Sequence, residues 1–254
     1  MPVVLKSSTD LERMRAAGAV AASVHERLRG MVEPGISTRE LDAVGHEMIT
    51  AAGGSPSFLN YRGYPASICT SVNDEILHGI PGDRVLRDGD ILSLDLGVYL
   101  DGFHADTAVT LPVGLVEQRL MELIETTEEC FWVGFRALTV GGRIGDAGSV
   151  IQELAESRGF GVVRDYAGHG VGRRMHEDPS VPNYGRAGTG TKLRVGTTFA
   201  LEPMLTLGSY ETRVLPDNWT VVTVDGSAAA HFEHTIAITE QGPEILTAAT
   251  ANVI

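Results

Sequence analysis

From Asp90 to Leu111 the chain reads DILSLDLGVYL, then Asp101-Gly102, then FHADTAVTL. Apolar and polar positions alternate on both sides of the break, which predicts two strands, and Asp-Gly predicts the tight turn of a hairpin between them. Successive strand side chains change face, so Asp95 and Asp106 point the same way across an even loop. They stand directly opposite or one diagonal step apart, about 4.5–8 Å between Cβ atoms. Leu94, Leu96, Ala105 and Ala108 around them are apolar, so bulk water does not separate the two charges. A shared proton or a cation is required instead.

The remaining pattern is helical, then short-stranded, twice over. Thr9-Asp10-Leu11-Glu12 predicts a capping box that opens a helix running to about Met31, stopped by Pro34-Gly35. Ser37-Thr38-Arg39-Glu40 predicts a second box and a helix ending near Gly53-Gly54. Ser55 to Pro81 is dense in turn residues and aromatics, which predicts short strands and exposed loops. After the hairpin the plan restarts at Gly114, with a helical segment to about Val140 and another from about Asp146 to Arg158. Glycine-rich loops and short strands follow from Gly168 to Gly196, then the strand TTFALEPML. Leu86-Arg87-Asp88-Gly89 leads to Asp95 as Leu193-Arg194-Val195-Gly196 leads to Glu202, both at a separation of 107 residues, and Gly35 maps to Gly142 at that separation. The recurrence predicts a duplicated helix–helix–strand unit in which Asp95 and Glu202 converge on one centre.

Composition narrows the class. With 254 residues, 43% of them hydrophobic, the chain can bury a sizeable core as one large domain or two fused halves. No apolar run reaches the roughly 18–20 residues of a membrane helix, and MPVVLKSSTD has neither the basic nor the apolar region of a signal peptide. Cys69 and Cys130 are too few for a disulfide framework, so a reducing cytoplasm is expected. A net charge of −13 disfavours broad nucleic-acid or anionic-membrane binding, leaving Arg173-Arg174 as a local basic patch at most.

Five residues then stand on strand-like segments among apolar or small neighbours: Asp95, Asp106, His169 in AGHGVGRRMHEDP, Glu202 in FALEPM and Glu233 in HFEHTIAIT. Acidic side chains are seldom buried unless paired or coordinating. One acid pair can share a proton, but four carboxylates and an imidazole cannot all be settled that way. Two divalent cations balance four carboxylates, two of which bridge. Oxygen donors with one imidazole suit Mn²⁺, Fe²⁺, Co²⁺ or Zn²⁺, and two such ions about 3.5–4 Å apart activate water against a carbonyl or phosphoryl centre. His104, His231 and His234 are expected in supporting positions, and His25 and His46 on helix surfaces or in the core.

HGIPGDRVLRDGDILSLDLGVYLDGFHADTAVT, GHGVGRRMHEDPSVPNY, FALEPML and FEHTIAIT resemble the signature segments of methionine aminopeptidase, type I, and the resemblance runs nearly end to end. It implies an α/β (α+β) pita-bread fold. Two pseudo-symmetric halves, about 8–112 and 114–247, would place an antiparallel/mixed sheet around a dinuclear metal site in one domain spanning 1–254. It implies that initiator methionine is removed when the next residue is small, a metal-bound hydroxide attacking the first peptide carbonyl. Asp95 would chelate one ion, His169 and Glu202 the other, and Asp106 and Glu233 both. Glu202 would be the base, His78 would lie near the scissile amide, and His176 would contact the carbonyl oxygen.

The same resemblance implies a methionine pocket lined by Tyr61, Tyr64, Cys69 and Trp219, with Phe58 and Met175 nearby. Phe58 replaces a cysteine of some members, Met175 a common phenylalanine, and His231 a common glutamine. The expected partners are the N-terminal Met peptides of nascent chains, with transient ribosome contact by a cytoplasmic monomer, without specific nucleic-acid recognition or membrane attachment.

Overall fold

The computed structural model describes residues 3–248. Four helices, α1 (Ser8–Arg29), α2 (Thr38–Ala51), α3 (Gln118–Ala137) and α4 (Ile144–Ser157), pack against a curled sheet. Its main path runs Ser55–Pro56, Ile91–Leu100, Phe103–Pro112, Glu233–Thr239, Thr198–Leu201, Gly168–Gly170 and Glu177–Val181, with Cys69–Val72 beside the second strand and Gly242–Ile245 beside the fourth. Two three-stranded sheets flank this path. Leu94, Leu96, Phe131, Phe199 and Leu201 are fully buried in the core between sheet and helices.

The central hairpin follows its alternation. Asp101 and Gly102 both take positive φ, 49° and 86°, the backbone of a tight hairpin turn. Leu100 then faces Phe103, Asp95 pairs with Ala108, and Asp106 pairs with Gly97. The two aspartates are therefore one diagonal step apart. Thr235 pins the second: its hydroxyl accepts from the Asp106 N–H at 2.8 Å and donates to the Asp106 carbonyl at 2.9 Å.

The first helix start and part of the loop segment depart from the sequence pattern. The first N-cap is Ser7, not Thr9; its hydroxyl accepts from the Asp10 N–H at 3.2 Å, and Asp10 reaches back to the Ser7 N–H at 3.0 Å. Leu11 and Met14 in the first turns of this helix are buried. Between Ser55 and Pro81, Tyr64 and the run 66–72 are buried rather than exposed, because Cys69–Val72 pairs with the hairpin strand that carries Asp95. Of the two places expected for His25, the structure gives the core: its Nε2 lies 3.0 Å from the Thr107 carbonyl, and its buried Nδ1 has no partner.

Corresponding elements recur along the chain. Gly35 N–H donates to Leu86 O and Leu86 N–H to Ile36 O; Gly141 N–H donates to Leu193 O and Leu193 N–H to Gly142 O. The bridge Ser37–Val85 has its counterpart in Arg143–Lys192. The partner of Gly35 by this bonding is Gly141, and both take positive φ, 103° and 85°. The sequence correspondence with Gly142 is thus one residue out of register.

Candidate metal centre and substrate pocket

The centre is built from strand positions that the sheet holds still. Asp95 and Asp106 come from the hairpin. Glu233 opens the next strand, and the Thr107 hydroxyl donates to its carbonyl at 2.8 Å. Glu202 sits where the strand Thr198–Leu201 is broken by Pro203, and Asn183 Nδ2 donates to its carbonyl at 2.9 Å. His169 lies between Gly168 and Gly170 on a short strand. Its Nδ1 donates to the Gly170 carbonyl at 3.0 Å, which turns the lone pair of Nε2 toward the carboxylates. That nitrogen is 3.5 Å from Asp106 Oδ2 and 3.8 Å from Glu202 Oε1.

Electrostatically the cluster resists full ionisation. Burial, then the charges of Asp106 and Glu202, push the Asp95 carboxyl well above its ordinary range. Glu233 is raised in the same direction by burial and by the neighbouring carboxylates, and Asp106 by burial. Glu202 is raised to about 7, mainly by burial, with His169 opposing. For His169 burial acts downward, but the Asp106 hydrogen bond and the Glu202 charge prevail and lift it to about 9. Without cations, such a site is settled only by taking up protons.

The donors fit divalent ions. Asp95 Oδ1, Asp106 Oδ1 and Glu233 Oε1 are buried with no hydrogen-bond partner. Among the described residues two groups have donor atoms within 4.8 Å of one another: Asp106–His169–Glu233 and Asp95–His231–Glu233. Glu233 belongs to both groups, whereas Asp106 belongs to one and Glu202 to neither. His231 stands where the sequence reading had only a supporting residue. Cys69 faces Asp95 across the strand pair, but burial raises its thiol well above the usual range, so it offers no thiolate. Oxygen and imidazole donors remain, the preference of borderline divalent metals.

One cavity of about 330 Å³ takes in all of these residues together with Phe58, Tyr61, Tyr64, Cys69, His78, Met175, His176 and Trp219. Arg62, Leu77, Asp165, Tyr166 and Ala167 complete its wall and were not picked out by the sequence pattern. Of these, Tyr166 meets His78 edge to face at 6.2 Å. Tyr64 is 2% exposed, and its hydroxyl is used up on the carbonyls of Ile68 and Gly79 at 3.1 and 2.9 Å, so it shows the cavity an aromatic surface. Trp219 meets Tyr64 edge to face at 5.1 Å and His78 at 6.0 Å.

Two imidazoles flank the carboxylates. His78 has φ 59°, a left-handed conformation uncommon outside glycine and favoured among side chains by Asn, Asp and His. Gly79 follows it with no room for a Cβ beside the Thr70 carbonyl, which clamps the turn. His176 lies 4.0 Å from the His169 ring, and its Nδ1 is 2.9 Å from the Tyr61 hydroxyl. Burial lowers His78 to about 4 and His176 to about 3, with the His169 charge adding to both, so each ring is neutral near pH 7.

A family model for metallopeptidase family M24 matches residues 12–240. The chain belongs to that family. Among M24 relatives, methionine aminopeptidase 1 of Bacillus subtilis (strain 168) is 49% identical over 245 residues, covering 96% of this chain and 99% of its own length. The methionine aminopeptidase of Clostridium perfringens is 48% identical over 245 residues, covering 96% and 98%. The crystal structure of methionine aminopeptidase from Thermotoga maritima superposes with a TM-score of 0.96 at 44% identity, covering 97% of this chain and 100% of that one. The curled sheet with paired helices is the pita-bread fold of this M24 group, and membership implies use of divalent metal. No helix among the described residues is long and apolar enough to cross a membrane.

Proposed function

We propose that the chain is a metal-dependent aminopeptidase that removes N-terminal methionine from nascent chains when the second residue is small. The observation that carries this reading is a single cavity joining a buried carboxylate–imidazole cluster to a wall of aromatic, thioether and thiol side chains. The names of the M24 relatives support the same substrate.

In this reading Asp95, Asp106, His169, Glu202 and Glu233 would hold the two ions, Asp95 on one side of the cluster and His169 with Glu202 on the other. Divalent ions bound there supply the activation of water and the polarisation of a carbonyl. Glu202, buried at the edge of the cluster, takes the proton that water gives up and returns it to the amide nitrogen as the C–N bond breaks. The Tyr61 hydroxyl lies 2.9 Å from His176 Nδ1; when it donates there, the ring hydrogen sits on Nε2 and is given to the carbonyl oxygen as its charge grows. His78 lies beside the scissile amide. Phe58, Tyr64, Cys69, Met175 and Trp219 receive the methionine side chain, whose thioether favours aromatic and soft contacts.

The recurrent helix–helix–strand elements support a single catalytic domain of two halves, about 8–112 and 114–247, that meet at the centre. We place its action in the cytoplasm, as a monomer with transient ribosome contact, where new amino termini emerge.

Peptide selectivity tests the reading. Met-Ala-Ser should be cleaved at least about tenfold faster, in kcat/KM, than Met-Leu-Ser, since pocket discrimination among apolar side chains is worth about 1–3 kcal/mol. Equal rates on both, or faster release from Xaa-Pro peptides, count against it.

A further inference from the structure

His231 has no role in the five-ligand arrangement, yet its ring is aimed into the centre. The side chain is 2% exposed, and neither Nδ1 nor Nε2 has a hydrogen-bond partner. Nε2 lies 3.7 Å from Glu202 Oε2 and 3.8 Å from Glu233 Oε2. Those separations are too long for hydrogen bonds. They match the 3.5 and 3.8 Å between His169 Nε2 and its two carboxylates. Donors that share one ion at about 2.1 Å stand about 3 Å apart when adjacent and about 4.2 Å apart when opposite. At 3.5–3.8 Å from their carboxylate oxygens, both imidazole nitrogens fall between those two limits, within the range that ligands of a common cation span.

The backbone of His231 is fixed from outside the centre. Its N–H donates to Thr110 Oγ1 at 2.8 Å, and the Thr110 hydroxyl donates to its carbonyl at 2.9 Å. Thr110 is itself held 2.7 Å from the Ser93 hydroxyl. All the polar bonding thus goes to the main chain, and the ring nitrogens are left for something absent from the protein's own donor and acceptor set. A buried imidazole with two unsatisfied nitrogens is costly unless a ligand takes one of them.

We propose that His231 Nε2 is a nitrogen ligand on the Asp95–Glu233 side, so that the centre binds its cations with two imidazoles, one facing each group of donors. The inference rests on the metal-site reading above. A second nitrogen donor moves metal preference away from Mn²⁺ and toward Co²⁺, Ni²⁺ or Zn²⁺.

The test is proton NMR of the full chain loaded with Co²⁺, in which metal-bound imidazoles give strongly shifted, exchangeable ring N–H signals. Two such signals are expected in the wild type. His231→Gln should lose one, and one Co²⁺ dissociation constant should rise at least about tenfold, with a smaller change for Mn²⁺. A wild-type spectrum with a single shifted imidazole that persists in His231→Gln overturns the proposal and leaves the metal site standing. A wild type that takes up no Co²⁺ overturns both.

Discussion

Asp106→Asn should abolish turnover and metal uptake together. Asp106 lies in the middle of the cluster, with Oδ2 3.5 Å from His169 Nε2 and Oδ1 buried without a partner. The amide keeps the shape but removes a negative charge and turns one oxygen into a hydrogen-bond donor. We expect kcat/KM to fall by at least about 10³-fold, more than the loss of a single oxyanion donor produces. Misfolding is separable from this outcome by the stability of the metal-free protein. A carboxyl whose pKa is raised on folding favours the folded state at low pH, and that advantage is lost as pH rises from the unfolded value through the folded one. Asp106 is raised in this way, so at neutral pH its charge weighs against the metal-free fold. The metal-free variant should therefore melt no lower than the metal-free wild type, while only the wild type gains melting temperature when cations are added. A variant that loads metal and turns over normally contradicts the assignment of Asp106.

Substitution at His78 should separate catalysis from metal binding. The left-handed backbone at this position makes Asn the suitable replacement, because it tolerates φ 59° where Ala is strained. The neutral ring touches Tyr166 and Trp219 edge to face and lines the cavity, but it belongs to neither group of converging metal donors. His78→Asn should lower kcat by about 10²–10³-fold, the range for removing one preorganised donor, with metal content and melting temperature close to wild type. Unchanged kcat with Met-Ala-Ser would reduce His78 to a residue that fixes the Gly79-Ile80-Pro81 turn.

What could be read from the sequence was whatever a short periodic pattern encodes. Asp95 and Asp106 were legible because alternation and an Asp-Gly turn determine which face each side chain takes, and their diagonal register follows from the two-residue loop. The second capping box was legible at Ser37 because only one frame fits it. At the first helix two acidic frames overlap, and the structure takes the one in which Ser7 and Asp10 make both reciprocal capping bonds. The adjacent glycines 141 and 142 are equivalent in letters, and only the positive φ of Gly141 tells them apart. The segment around Tyr64 looked loop-like because its order comes from a partner strand distant in sequence, pairing Cys69 with Asp95.

The pocket shows the same limit. Tyr166 reaches the cavity wall from a segment without periodic signal, so nothing local marks it. His231 is two residues before Glu233, but it belongs to a different short strand, which pairs with Met204–Thr206 in a flanking sheet. The break between those strands aims both side chains at one point, and sequence spacing alone cannot reveal that.

The central claim is that the buried carboxylates work only with cations among them. The direct measurement strips the protein with a chelator, follows methionine release from Met-Ala-Ser, and then adds back Mn²⁺, Fe²⁺, Co²⁺ or Zn²⁺ singly. The account predicts no release from stripped protein and recovery with at least one of these ions, saturating at stoichiometric metal. Undiminished release from protein shown to be metal-free would contradict it.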